Sequence, residues 1–166
     1  MIGEFGEVLV MDWGLALPVG DFEKKGLALS IGPCGTPAYM APEMARQHGK
    51  VTTASDIYLL GAQLFRLATG TAPHTAKSAR ACLRAAARNE IIEVDRDDEL
   101  VAIARKAMST RPEDRHSSAQ EFQAALSEYR SHKESRAMTE RAIEKLAAAQ
   151  RAMSAGASDY RPFERA

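Results

Sequence analysis

The sequence predicts a mainly helical fold, with a small β-hairpin at its N-terminal edge and a long helical extension at its C-terminal edge. Three observations carry this. The run "IYLLGAQLFRLA" (57–68) is too long and too uniformly apolar for a strand. Two amphipathic segments follow it. From Ser117 an Ala- and charge-rich stretch runs on to about Met153, longer than a typical globular helix.

At the N-terminus, Gly3-Glu4-Phe5-Gly6-Glu7 has hairpin-turn composition, glycine supplying the positive φ that such turns need. Val8 to Met11 is a short apolar run between glycines and reads as a buried strand. From Leu15 to Pro42 no period is sustained, because Gly20, Gly26, Gly32, Pro33, Gly35 and Pro37 interrupt every candidate. A connection of that length inside a domain is usually functional. Ser55 or Thr53 is placed to cap a helix reaching about Thr69 and closed by Gly70 and Pro73; apolar on nearly every face, it should be buried all round. Lys77 to Asn89 and Asp97 to Met108 form the two amphipathic helices, the second with an acidic first turn that suits the helix dipole. Phe122, Leu126 and Tyr129 begin the last helical pattern, and Met138, Ala142, Leu146 and Met153 continue it along one stripe. Either one long helix leaves the domain, or a break near Ser131-His132 separates a final domain helix from an extension ended by Gly156. The tail "DYRPFERA" resembles the first helix of a helical repeat, but one fragment shows no period.

The 166 residues suffice for one domain with a core, and 22 Lys+Arg against 22 Asp+Glu give no electrostatic case for nucleic acid or an anionic membrane as partner. No signal-peptide pattern and no long apolar span is present, so a cytoplasmic protein is expected. Cys34 and Cys82 are read as free thiols. His48, His74, His116 and His132 lack metal-ligand spacing and are read as surface or half-buried.

Four motifs then occur in order: "VMDWGLA" (10–16), "GTPAYMAPE" (35–43), "SDIYLLG" (55–61) and "RPEDR" (111–115). Together they resemble the C-terminal lobe of bacterial Ser/Thr protein kinases of the Hanks type, over roughly residues 1–130 as a partial kinase domain, with 131–166 as the helical extension. The resemblance implies a transferase that moves the ATP γ-phosphate to protein hydroxyls, with ATP and Mg²⁺ as cofactors of the complete domain and a protein substrate or regulatory protein as partner. Phosphoryl transfer is catalysed mainly by positioning and charge neutralisation, so a carboxylate on a rigid strand suits a metal ligand. Asp12 matches that ligand, Trp13 departs from the usual phenylalanine but keeps a bulky apolar anchor, and Gly14 permits the turn into the activation segment; the competing reading of Asp12 is a strand-end acid in an ordinary turn. Residues 15–42 would be the activation segment, with Ser30 the candidate phosphosite as the sole Ser or Thr between Trp13 and Gly35. Thr36 resembles the threonine that helps shape the substrate site; its alternative is a turn hydroxyl capping local backbone. Glu43 and Arg115 correspond to an ion pair fastening the activation segment to the last helices. Asp56 matches the acid that hydrogen-bonds the catalytic-loop backbone, against an ordinary helix-start acid.

The resemblance also shows what this sequence lacks. No strand lysine and no His-Arg-Asp catalytic loop occur in it. "MIGEFGEV" (1–8) imitates a phosphate-covering glycine loop, but Asp12 follows Val8 by four residues, leaving no room for an intervening N-terminal lobe. The chain alone is therefore expected to be inactive and to bind ATP and Mg²⁺ poorly, and its uncovered surface should make it marginally stable or self-associating. The alternative is a non-catalytic, pseudokinase-like interaction module.

Overall fold

The structure, a computed structural model, describes residues 4, 6–17, 35–47, 49–96 and 98–157. Among these, the α-helices are α1 (Pro42–Ala45), α2 (Thr53–Thr69), α3 (Ala79–Arg88), α4 (Glu99–Ala107) and α5 (Ala119–Ala157), joined by 3-10 turns at Trp13–Leu15, Pro37–Tyr39 and Pro112–Asp114. The chain divides into two compact units, residues 1–122 and 123–166.

In the first unit, α2 packs chiefly on α4, and α3 packs on α1 and on the Pro37–Tyr39 turn. Tyr58, Ala62, Phe65 and Ala68 of α2 meet Val101, Ala104 and Met108, with Ala41 closing the cluster. Small residues let the two helix backbones approach. A Cβ added to Gly61 would lie 2.6 Å from Ala107 Cβ and 3.0 Å from the Ala104 carbonyl oxygen. Gly61→Ala gains helix propensity of about 1 kcal/mol, yet it inserts a methyl against a backbone that cannot yield locally. We expect a net loss of about 1–3 kcal/mol in urea unfolding, and an unchanged midpoint would show that the helices separate freely.

Local chemistry sets the helix ends. Thr52 Oγ1 accepts the Ala54 N–H while Ser55 Oγ accepts the Thr52 N–H, a reciprocal cap that puts the N-cap of α2 one residue before Thr53 and three before Ser55, the two expected caps. Gly70, at φ 79°, ends the helix with a left-handed turn. Ser78 caps α3 through the Ala81 N–H, and Asp98 caps α4 through the Val101 N–H. The Val101 hydrogen bond is the main cause holding the Asp98 carboxyl below its ordinary range. At the start of α5, Ser118 Oγ accepts the Glu121 N–H.

Several expectations are corrected. Val8–Met11 form no strand: each side chain is between 58% and 73% exposed, and nothing among the described residues covers them. Gly3 and Phe5 of the expected hairpin lie outside the described residues. Val8 makes only an isolated bridge, and an isolated two-stranded ribbon is marginal in water. Helix α2 is covered on one face only, since Leu60 and Leu67 are exposed. Trp13 is 71% exposed and anchors nothing among the described residues. His74 and His116 are fully buried, not surface or half-buried; neither ring nitrogen of His116 has a hydrogen-bond partner among the described residues. Cys82 is a buried free thiol whose burial pushes its titration upward, while Cys34 and His48 lie outside the described residues.

In the second unit, α5 runs without a break through Ser131-His132 to Ala157, so the continuous alternative holds. Met138, Ile143, Leu146 and Met153 along it are exposed. No helix among the described residues is long and apolar enough to cross a membrane.

Candidate functional site: a buried ion pair beneath the GTPAY turn

Gly35, at φ 118°, turns the chain into Thr36-Pro37-Ala38-Tyr39, where the Tyr39 N–H donates to the Thr36 carbonyl. Pro37 suits the first position of this 3-10 turn because its missing N–H would have no partner there. Met40 and Ala41 then plunge into the core, and Pro42 opens α1 with Glu43 in its first turn. The sequence thus carries a buried carboxylate directly behind a half-buried turn that the exposed Thr36 precedes.

Arg115 answers that carboxylate. Its Nη1 donates to Glu43 Oε1 at 2.7 Å and its Nη2 to Oε2 at 2.9 Å, a bidentate pair across 72 residues of sequence. The Arg115 side chain is 0% exposed and that of Glu43 10%. The remaining donors are also used: Nη1 reaches the Ala54 carbonyl at 2.8 Å, and Nε reaches that of Ser109 at 2.9 Å. Ser55 Oγ adds a 2.7 Å hydrogen bond to Glu43 Oε1, so the residue that caps α2 also holds the carboxylate. The guanidinium lies over the Tyr58 ring, 5.0 Å from its centroid. Burial pushes the Glu43 carboxyl up, but the hydrogen bonds from Arg115, its own backbone and Ser55, with the Arg115 charge, outweigh this and hold it below its ordinary range. Such a satisfied pair is a structural clamp joining α1, the start of α2 and the segment after α4.

A second tie supports the same region from α3. Arg46 donates from Nε and Nη2 to the Ala87 carbonyl, at 3.0 and 2.8 Å. His74 donates its backbone N–H to the Ala38 carbonyl at 3.1 Å, pinning the turn that bears Thr36.

The other expected site residues lie apart. Asp12 is exposed with a left-handed backbone, φ 64°, and its Oδ1 accepts the Gly14 N–H at 3.4 Å. Aspartate tolerates that conformation better than most residues. Thr36 is exposed, and its hydroxyl makes no cap to the turn it precedes. Asp56 is exposed in the first turn of α2. No hydrogen bond or ion pair among the described residues joins Asp12, Thr36 and Asp56 to one another. Ser30 lies outside the described residues. Among the described residues no three His, Cys, Asp or Glu side chains gather closely enough to hold a metal ion. Asp12 therefore does not make a Mg²⁺ site unaided, since that ion needs several further oxygen ligands.

The protein kinase domain family matches residues 1–145. The Ser/Thr protein kinase PknB of Mycobacterium tuberculosis is 32% identical over 135 residues, covering 76% of this chain and 21% of the relative. The tyrosine-protein kinase MasK of Myxococcus xanthus is 36% identical over 128 residues, covering 73% of this chain and 19% of the relative. A plant protein, CBL-interacting protein kinase 12 of Oryza sativa, is 40% identical over 73 residues, which are 44% of this chain and 13% of the relative. The chain thus spans about a fifth of the length of the bacterial relatives it matches. Ordered motifs, a clamped GTPAY turn and these matches agree: the chain belongs to the protein kinase domain family, with the bacterial Ser/Thr kinases of the Hanks type.

Proposed function

We propose that this chain is the portion of a Ser/Thr protein kinase that presents the activation segment and its anchor, and that the complete form transfers the ATP γ-phosphate to protein Ser or Thr hydroxyls. The observation that carries the reading is the buried Glu43–Arg115 clamp directly behind the turn that the exposed Thr36 precedes. A clamp of this kind fixes where the activation segment returns to the folded helices, which is what a phosphoryl-transfer site needs of its protein-substrate side. In the complete domain Asp12 would contribute to Mg²⁺ binding, with ATP phosphate oxygens and a further protein ligand completing the shell. Within this chain Asp12 stands alone, so no catalytic step is assigned to it here.

The purified chain should therefore show no ATP- and Mg²⁺-dependent phosphorylation of itself or of a generic protein substrate, whereas a version extended upstream through a catalytic loop should show it. Phosphoryl transfer by the short form would overturn the reading that it is inactive alone. The exposed apolar stripe of α5 favours a second reading, a docking module without catalysis. A specific partner captured by the chain and lost on deleting 131–166 would support it.

A further inference from the structure

Helix α3 carries its arginines on one side. Arg80, Arg84 and Arg88 stand four residues apart, the spacing that lines side chains along a single helix face, and all three are exposed. On the other side Cys82, Ala85 and Ala86 are buried. Lys77, just before the Ser78 cap, is exposed as well. Arg46 adds a further cation, since its Nε and Nη2 both donate to the Ala87 carbonyl, between Arg84 and Arg88 along the helix. A carbonyl bears no net charge, so that tie fixes the guanidinium without neutralising it.

Nothing within the chain accounts for this basic ridge. Positive and negative residues balance overall, 22 against 22, yet no Asp or Glu occurs between Asp56 and Glu90. Arg88 meets Glu90 at 3.4 Å, with the two side chains 72% and 58% exposed, a pair of the solvent-screened kind. Lys77, Arg80, Arg84 and Arg46 have no acidic partner among the described residues. Like charges four residues apart repel along a helix. Arg80 also lies in the first turn, where the helix dipole disfavours a cation. Helices α2, α4 and α5 place Asp56, Glu99 and Glu121 there, whereas α3 has no acid in its first turn. The ridge therefore works against its own helix, and an anion from outside would relieve it.

We propose that this ridge docks an acidic, extended segment of the protein substrate, an identity of the occupant that rests on the kinase reading above. Position supports it, because α3 packs directly on the Pro37–Tyr39 turn and so flanks the exposed Thr36. Spacing supports it too. Four helical residues advance about 6 Å, and two residues of extended chain advance about 6 to 7 Å. Acids at alternate positions, Glu-x-Glu-x-Glu, thus meet Arg80, Arg84 and Arg88 in turn, and each guanidinium fork matches a carboxylate. No aromatic residue on α3 offers a base a stacking surface, so the ridge suits a peptide better than single-stranded nucleic acid.

Fluorescence anisotropy on the full chain tests this, with a fluorescein-labelled peptide containing Glu-Ala-Glu-Ala-Glu and its Gln-Ala-Gln-Ala-Gln counterpart. Only the acidic peptide should bind, more weakly as salt is raised. Arg80→Glu with Arg84→Glu should weaken that binding at least about tenfold. Arg130→Glu with Arg136→Glu, the same change of net charge on exposed positions of α5, should leave it unaltered. Arg80→Gln with Arg84→Gln should also lose binding while unfolding at the same or a higher temperature, since repulsion is removed and no contact is lost. Equal binding of the two peptides overturns the proposal, as does an equal loss from the α5 pair. So does a single-stranded oligonucleotide of the same charge that binds as tightly at the same salt. In a version extended upstream, a substrate bearing the acidic segment should have a lower KM at unchanged kcat, and the double glutamine variant should erase the difference. Should that version transfer no phosphate, the kinase reading fails, while the anisotropy still decides whether the ridge binds acidic peptide.

Discussion

Replacing Arg115 with alanine is expected to destabilise the chain by about 3–5 kcal/mol in urea or thermal unfolding. Most of this comes from the stranded partner. Glu43 would remain buried with only Ser55 and its own backbone to hold it, and the Ala54 and Ser109 carbonyls would each lose a donor. Glu43→Gln should lose nearly as much, because it leaves the buried guanidinium uncompensated. Arg115→Lys should fall between, since an ammonium keeps the charge but cannot form the fork. A loss below about 1 kcal/mol would place the pair in the class of solvent-screened surface bridges. The same pair gives stability an acid limit. The folded Glu43 carboxyl titrates below its unfolded counterpart, so its contribution is complete above the unfolded value and is lost as pH falls through the folded one. Glu43→Gln should flatten that decline.

Phe65→Ala is expected to be of similar size, about 3–5 kcal/mol. The ring is fully buried at the centre of the α2–α4 contact, and its neighbours Ala62, Ala68 and Ala104 are too small to collapse into the space it leaves. The Arg105 guanidinium, 5.8 Å above the ring, would also lose its π face. Phe65→Leu, which keeps most of the volume, should recover more than half of the loss. Equal destabilisation by the two would show that aromatic contact, not filled volume, holds the helices.

What the sequence discloses about this fold follows the range of the forces involved. Helix existence is local, so α2 was legible from the length of its apolar run and α3 and α4 from their amphipathic period, to within about two residues at each end. The start of α2 was less so, because Thr52, Thr53 and Ser55 are all capping types, and only the folded backbone selects Thr52. Coverage is not local. Leu60 and Leu67 look like core residues in the run 57–68, and Val8–Met11 look like a strand, but each needs a covering surface that no local pattern supplies. The site divides in the same way. Glu43 and Arg115 are 72 residues apart, and no periodicity links them; it was the order of the motifs that pointed to both. The Ser55 hydroxyl and the Ala54 carbonyl, which complete the clamp, left no signal of their own. His74 left none either, a lone histidine in a connection, and its hydrogen bonds to the Tyr58 hydroxyl and the Glu90 carbonyl emerge only in the fold.

The long sequence span of the clamp also has a meaning in time. Closing a loop of that length is entropically unfavourable, and the return comes only after both ends are already in place. The pair should therefore form after the rate-limiting step of folding, once α2 and α4 have met. Mutants of Glu43 or Arg115 would then fold at nearly the normal rate but unfold much faster. In that case Arg115 governs how long the chain stays folded once it has arrived, and stopped-flow unfolding would read it directly.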